Sequence, residues 1–308
     1  RDRRGGAPLD GDRAMFRRPA RGAAGAGREA MRAKEGLMES EFFRLERVGA
    51  VAHLIMARPD KANAMNEAFW ADLPRLVAAL EADAGVRALV ISGEGRHFTS
   101  GMDLGAFTGI AAMTEAEPGR GAYALRGLIL RLQSALSALE AARFPVICAI
   151  HGACIGGGID MITAADIRLA TQDAVFAVEE INIGMAADVG TLQRLPKLIA
   201  PGVARELCLT GRRFSAEEAL GWGLLNALHD GREAVVAAAL DLAAGIAAKS
   251  PLAMAGIKRA MIYAGDHPTA EGLEQIATWN AGMLRPADLT EAITARAAKR
   301  KALFGDLG

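Results

Sequence analysis

Cysteine is scarce in these 308 residues, and the three that occur, Cys148, Cys154 and Cys208, form neither a metal-ligand spacing nor an even disulfide framework. That usage fits a reducing compartment: the cytoplasm if the source is bacterial, the mitochondrial matrix or peroxisome if it is eukaryotic. Net charge is lacking too, since 36 Lys and Arg balance 36 Asp and Glu, and the chain has no general pull toward nucleic acid or an anionic membrane. No apolar run approaches the length of a membrane span. No G-x-G-x-x-G opens a strand-to-helix unit and no ligand cluster reads as a metal site, so neither nicotinamide nor metal is expected. Nor are aromatics interleaved with Lys or Arg in a stripe that would suit RNA.

What is present points to one large core. Hydrophobic residues make up 51% of the chain, enough to bury a sizeable interior. Basic residues are unevenly placed: residues 1–37 hold ten Lys and Arg against five Asp and Glu, leaving 26 against 31 in the rest. This Arg-, Gly- and Ala-rich stretch has no apolar period and is expected to be a disordered basic extension outside the fold. Its acids, Asp2, Asp10, Asp12 and Glu29 among them, and its want of serine depart from a mitochondrial transit peptide. An extension ahead of a natural start near Met31 or Met38 is the preferred expectation.

From Phe42 the pattern becomes regular. The run F-F-R-L-E-R-V-G-A-V-A-H-L-I-M-A-R-P predicts a strand that breaks at Pro59 into a polar loop. A helix from about Asn66 to Ala82 follows, with Phe69, Leu73, Leu76, Val77 and Leu80 on one face. A-L-V-I-S-G, residues 88 to 93, is a short buried strand, and this order implies a right-handed crossover in a parallel sheet covered by helices. The unit recurs as a long helix from roughly Tyr123 to Ala142, a strand starting at Pro145, a glycine turn, a helix, and the strand D-I-R-L-A-T. After about Ser250 the chain reads as nearly all helical.

Three carboxylates stand behind the triple glycine Gly156 to Gly158: Asp160, Glu180 and Asp188. Desolvating a carboxylate is costly unless its charge or its raised pKa is used, so acids gathered beside a glycine turn and an apolar stretch suggest proton shuttling on a carbon acid. A turn without side chains also lets a substrate carbonyl approach backbone N–H groups at a helix start. The bland alternative is a tight turn needed only for packing, with the acids as helix-start or surface charges.

The segments A-R-P-D-K-A-N-A-M-N (57 to 66), F-T-S-G-M-D-L (98 to 104), P-V-I-C-A-I-H-G-A-C-I-G-G-G-I-D (145 to 160) and G-T-L-Q-R-L-P (190 to 196) resemble the crotonase superfamily of acyl-CoA enzymes. The resemblance runs from about residue 42 to the C-terminus. It implies an α/β fold, the ClpP/crotonase-like fold of repeated ββα units, with the acyl-CoA site in a core over residues 38–249. It also implies that the helical region 250–308 builds a homotrimer, paired into a homohexamer, and that no cofactor is needed because coenzyme A is part of the substrate. Within the superfamily, I-H-G-A-C-I-G-G-G-I-D with A-A-D-V-G-T-L-Q-R-L-P is similar to the branch that isomerises 3,5-dienoyl-CoA to 2,4-dienoyl-CoA in fatty acid β-oxidation.

Chemistry makes that implication checkable. A proton must leave C2 and another arrive at C6, four bonds and roughly 5 Å away, whereas a general acid or base must come within about 3 Å of its proton. Two carboxylates at opposite ends meet this demand. By resemblance, Glu180 takes the C2 proton, Asp188 delivers one at C6, and Asp160, in the first turn of a helix, orients or tunes the pair. Glu179 competes with Glu180 by sequence alone, and the family's twenty-residue offset from Asp160 selects Glu180. The backbone N–H groups of Met102 and Gly157 are implied to hold the thioester oxygen. Lys61 and Ala62 are implied to bind the CoA nucleotide, and Thr99, Ser100, Gly101 and Asp103 to line the thioester end, with Asp103 in a structural part. Lys299, Arg300 and Lys301 either reach a CoA phosphate or form a solvated helix face. His97, His151 and Cys154 lie near the motifs without an assigned chemistry. Two other functions stay open: an enoyl-CoA hydratase, opposed by Asp160 and Asp188 where the family usually has Glu and Gly, and a non-catalytic RNA-binding or scaffold member, opposed by the acidic balance of the folded part.

Overall fold

The computed structural model describes residues 40–103, 105, 109 and 117–307. The basic extension expected over residues 1–37 lies outside the described residues. The single strand expected from Phe42 is instead a hairpin. β1 (Phe43–Val48) and β2 (Val51–Met56) pair antiparallel, with Val48 opposite Val51. The chain reverses at Gly49, whose φ of +59° carries no Cβ penalty. Apolar residues flank Gly49-Ala50 on both sides, so composition does not mark the reversal.

Beyond the loop after β2, α1 (Glu67–Glu81) starts where the Asn66 side chain accepts the Phe69 N–H, and it buries Phe69, Leu73, Leu76, Val77 and Leu80, the face its periodicity predicts. β3 (Ala88–Gly93) follows. α2 (Pro118–Ala141) begins five residues before the expected Tyr123, because Pro118 fits the first turn and the Glu117 carboxylate accepts the N–H groups of Gly119 and Arg120. Then come β4 (Val146–Ile150), β5 (Ala153–Ile155), α3 (Gly157–Thr163), β6 (Ile167–Thr171) and β7 (Val175–Ala177). The remainder is α4 (Thr191–Leu198), α5 (Pro201–Thr210), β8 (Phe214–Ser215), α6 (Ala216–Gly221), β9 (Ala227–His229) and α7 (Gly231–Ala247). Three C-terminal helices close the chain: α8 (Pro251–Ala264), α9 (Thr269–Met283) and α10 (Pro286–Ala297).

The main sheet runs in the order β1-β2-β3-β4-β6-β9 and is parallel from β2 onward. Both faces are covered, as a parallel sheet requires. Period two sorts the side chains: Val51, Ala88, Val90, Ile147 and Ala149 face α7, whereas Leu54, Leu89, Ile91, Cys148 and Ile150 join the larger core that holds α1. On α7 the buried stripe is Val235, Ala239, Ala243 and Ala247, small residues at every fourth position that let the helix lie close to the sheet. A second sheet, β5-β7-β8, is made of strands two or three residues long, too short for periodicity to reveal. It stands beyond the C-terminal end of β4, and isolated bridges join Thr99 to Cys154 and Met65 to Met102. Loops from the C-terminal ends of β2, β3 and β4 therefore converge, the usual place for a ligand in an open parallel sheet.

α8 is fastened to the core by buried Lys258, whose Nζ donates to the Leu139 and Phe144 carbonyls at 2.9 and 3.0 Å and pairs with Asp166 at 2.8 Å. α9 lies on α8, with Trp279 over Gly256. Ile257, Met261, Leu273 and Leu284 point outward, each more than half exposed. Among the described residues no single helix is long and apolar enough to cross a membrane.

Candidate active site

The loop after β2 is tied to the loop after β3 by backbone bonds and by the buried side chains of Asn63 and Thr99. Asn63 is buried at φ +52°; its Nδ2 donates to the Glu94 and His97 carbonyls, both at 2.9 Å, and its Oδ1 accepts the Arg58 N–H at 2.9 Å. Thr99 Oγ1 donates to the Asn63 carbonyl at 2.8 Å and accepts the Gly101 N–H at 3.1 Å, while the Ser100 N–H reaches the Ala62 carbonyl at 2.9 Å. Met65 N–H donates to the Gly101 carbonyl at 2.8 Å, and Asp103 N–H returns to Met65 at 3.1 Å. Gly101 adopts φ +88°, and a Cβ there would stand 2.7 Å from the Ile155 carbonyl oxygen. Only glycine fits. This packing brings Met102 beside the glycine turn: its nitrogen lies 3.8 Å from where a Cβ on Gly157 would be. Among the described residues neither the Met102 nor the Gly157 N–H has an acceptor. Two donors thus face one space.

That space is a cavity of about 120 Å³ bounded by Trp70, Met102, Gly157, Asp160, Glu180 and Asp188. Asp160 is the most enclosed of the acids. It sits in the first turn of α3, and its Oδ1 accepts the Thr191 N–H at 2.6 Å, capping α4 in place of Gly190, which has no side chain to do so. Burial raises the Asp160 carboxyl to about 6 against the hydrogen bonding from Thr191, and the Asp188 charge adds to the rise. Glu180 opens the 3-10 turn Glu180–Ile183 opposite Gly156. A Cβ on Gly156 would lie 3.3 Å from Glu180 Oε1, so the first glycine clears room for this carboxyl. Among the described residues its Oε2 is buried without a partner. Burial, then the Asp160 charge, raises Glu180 to about 7. Asp188 is half-buried and also raised by burial. Its carbonyl accepts the Gln133 Nε2 at 2.7 Å.

A sequence profile for enoyl-CoA hydratase/isomerase matches residues 46–307. The chain belongs to the enoyl-CoA hydratase/isomerase family. Among its relatives, the peroxisomal Δ(3,5)-Δ(2,4)-dienoyl-CoA isomerase of Arabidopsis thaliana is 40% identical over 269 residues, 87% of this chain and 97% of that one. The mitochondrial protein of the same designation from Rattus norvegicus is 45% identical over 255 residues, 81% of this chain and 77% of that one. A solved structure of enoyl-CoA hydratase subunit I from Geobacillus kaustophilus superposes with a TM-score of 0.76 at 31% identity, covering 87% of this chain and 99% of its own. The family resemblance carried by the four motifs therefore holds, and the fold with it.

Within this family frame the expected residues divide. Met102, Gly157, Ser100, Gly101 and the three acids border the cavity. Glu179 borders it too, but of the two it is Glu180 that has, among the described residues, a buried carboxyl oxygen without a partner. Thr99 is fully buried, and its hydroxyl is spent holding the loop. Asp103 pairs with Arg58 at 2.6 Å, an interaction that holds its carboxyl below the usual range, in keeping with a structural part. Lys61 is exposed at the end of the 3-10 turn Pro59–Lys61, and Ala62 follows at φ +50°. Lys299, Arg300 and Lys301 lie past the end of α10 and not on a helix face; the Arg300 guanidinium is taken by Glu291 at 2.6 and 2.9 Å. Sequence reasoning did not single out Trp70, Ile183, Met185 and Val189, which supply apolar wall. Trp70 follows the buried Phe69 on α1, so helical period alone gave it no role, although among the described residues its Nε1 is buried without a partner. Asn63 and Gln133 act through carbonyls distant in sequence, a signal no single motif carries.

Proposed function

We propose that this chain isomerises 3,5-dienoyl-CoA to 2,4-dienoyl-CoA by moving a proton from C2 to C6. The carrying observation is the meeting of Glu180 and Asp188, both with carboxyls raised by burial, in one cavity with the unpaired N–H groups of Met102 and Gly157. In this reading the thioester oxygen lies between the two N–H groups, whose fixed dipoles stabilise the dienolate by a few kcal/mol each, as an order-of-magnitude value. Ionised Glu180 takes the C2 proton, the electron pair spreads through C2, C4 and C6 to the oxygen, and protonated Asp188 supplies the proton at C6. Base and acid suit these parts. A Glu pKa of about 7 makes a stronger base than an exposed carboxylate, and burial of Asp188 favours its neutral form. Asp160, held by Thr191, tunes Glu180 by its charge.

Only protons and the substrate's own electrons move, so the reaction needs neither metal nor redox cofactor, and coenzyme A enters as part of the substrate. The loop bearing Lys61 and Ala62 is assigned to the CoA nucleotide. Outward Ile257, Met261, Leu273 and Leu284 support assembly into a trimer or a pair of trimers through the C-terminal helices. The test of activity is the absorbance of the conjugated 2,4-dienoyl product formed from 3,5-dienoyl-CoA. Faster hydration of 2-enoyl-CoA than isomerisation would assign the chain to water addition. Light scattering should give a mass of three or six chains, and a monomer at micromolar concentration would remove the assembly.

A further inference from the structure

The G-T-L-Q-R-L-P stretch supplies more than the start of α4. Arg194 lies on that helix with its guanidinium folded back over Gly190, where a Cβ would fall 1.9 Å from Nη1. Gly190 takes φ +138°, a backbone that side chains rarely adopt. From this position Arg194 Nε and Nη2 donate to Glu140 Oε2 at 2.9 and 2.8 Å, and Nη2 also donates to Ser137 Oγ at 2.9 Å. One turn earlier on α2, Gln133 Nε2 donates to the Asp188 carbonyl at 2.7 Å. Gln133, Ser137 and Glu140 are spaced four and three apart and so share one helix face. On the other side the Asp160 carboxylate grips the Thr191 N–H at 2.6 Å. The four residues 188–191 are therefore held between α2 and α3.

Among the described residues no other residue's donor reaches the Asp188 carboxyl. Among these residues its position follows from its own backbone, whose N–H reaches the carboxyl, and from two side-chain torsions. We infer that Gln133 is a positioning residue for Asp188, and that the Gln133, Ser137 and Glu140 face of α2 sets how far the Asp188 carboxyl stands from Glu180 across the acyl chain. This rests on Asp188 being the acid at C6. The amide does not touch substrate; it fixes the carbonyl of the residue whose carboxyl must come within about 3 Å of C6. A misplacement of about 1 Å at a reacting group costs up to a hundredfold.

The test uses Gln133→Met, of nearly the same length without the donor, and Gln133→Glu, of the same shape, as a second variant should the first fold poorly. Each is assayed by dienoyl-CoA absorbance in the full chain, alone and combined with Asp188→Asn. The expected result is a kcat lower by about 10- to 100-fold with KM within about twofold. The alkaline limb of the kcat profile should move to lower pH as Asp188 relaxes toward solvent, and the Gln133 change should add no further loss in the Asp188→Asn background. Wild-type kcat in both Gln133 variants, or the same fold loss with and without Asp188, overturns the inference. A slow Asp188→Asn enzyme beside a fast Gln133→Met enzyme removes only the positioning. An Asp188→Asn enzyme with wild-type kcat removes the acid at C6 and this inference together.

Discussion

The two ends of the cavity are built from different materials. At the Met102 and Gly157 end the groups proposed to act are backbone N–H, fixed by a mesh of backbone and buried Asn63 and Thr99 bonds, with glycine at 101 because nothing else fits. At the other end the groups proposed to act are carboxyls on a 3-10 turn and a loop, and among the described residues Glu180 Oε2 has no partner. A backbone donor is indifferent to the side chain above it, so the first end suits any acyl thioester. The second end is where side-chain identity selects a reaction. Rigidity is spent on the shared step and chemistry on the particular one.

Breaking the side-chain end should have the largest effect. Glu180→Gln and Asp188→Asn keep size and polarity and remove a base and an acid, so each should lower kcat by roughly a hundredfold to ten-thousandfold with binding of an acyl-CoA analogue nearly unchanged. Wild-type turnover in either would detach that residue from the chemistry. Breaking the backbone end should act differently. Gly101→Ala forces a Cβ to within 2.7 Å of the Ile155 carbonyl oxygen at φ +88°, so it should displace the Met102 N–H, lower kcat by roughly 10²- to 10³-fold and cost about 1–3 kcal/mol of stability. Calorimetry beside the absorbance assay separates the two losses. Unchanged kcat in a destabilised Gly101→Ala protein would show that the Met102 N–H is not used.

A smaller effect sharpens the acid end. The Asp160 charge raises Glu180, so Asp160→Asn, which keeps an acceptor for the Thr191 N–H, should lower the Glu180 pKa and move the acid limb of kcat/KM from near 7 toward lower pH. An unmoved limb would mean that the two acids do not interact. Stability should respond as well. Folded Glu180 at about 7 and Asp160 at about 6 lie above ordinary carboxylates, so the folded state binds more protons than the unfolded one between about pH 4 and 7. Stability from these groups is therefore full below about pH 4 and is lost as pH rises through the folded values of about 6 and 7, a loss on the order of 3 kcal/mol for each group. Glu180→Gln should flatten the fall in Tm between pH 5 and 8, and an equal fall in both proteins would contradict the raised pKa.

The same contrast governs what could be read from the sequence. Motif glycines and spaced acids name their positions, and the cavity holds Asp160, Glu180, Asp188, Met102 and Gly157 together. The face of α1 was legible because five large residues follow one period. The Gly49 hairpin was not, since its turn carries no polar marker, and neither was the small sheet, whose strands stop after two or three residues. Gln133 escaped for another reason: it acts on a carbonyl 55 positions away, which no local pattern encodes.

Asp160 also gives the site a mechanical side. The carboxylate that tunes Glu180 is the cap on α4, so a change in its charge alters the grip on Thr191, three residues beyond Asp188. An ionised acceptor binds an N–H more strongly than a neutral one. The short segment that carries Asp188 should therefore stiffen as pH rises through about 6, and slower opening of the Thr191 amide, corrected for intrinsic exchange, would report it.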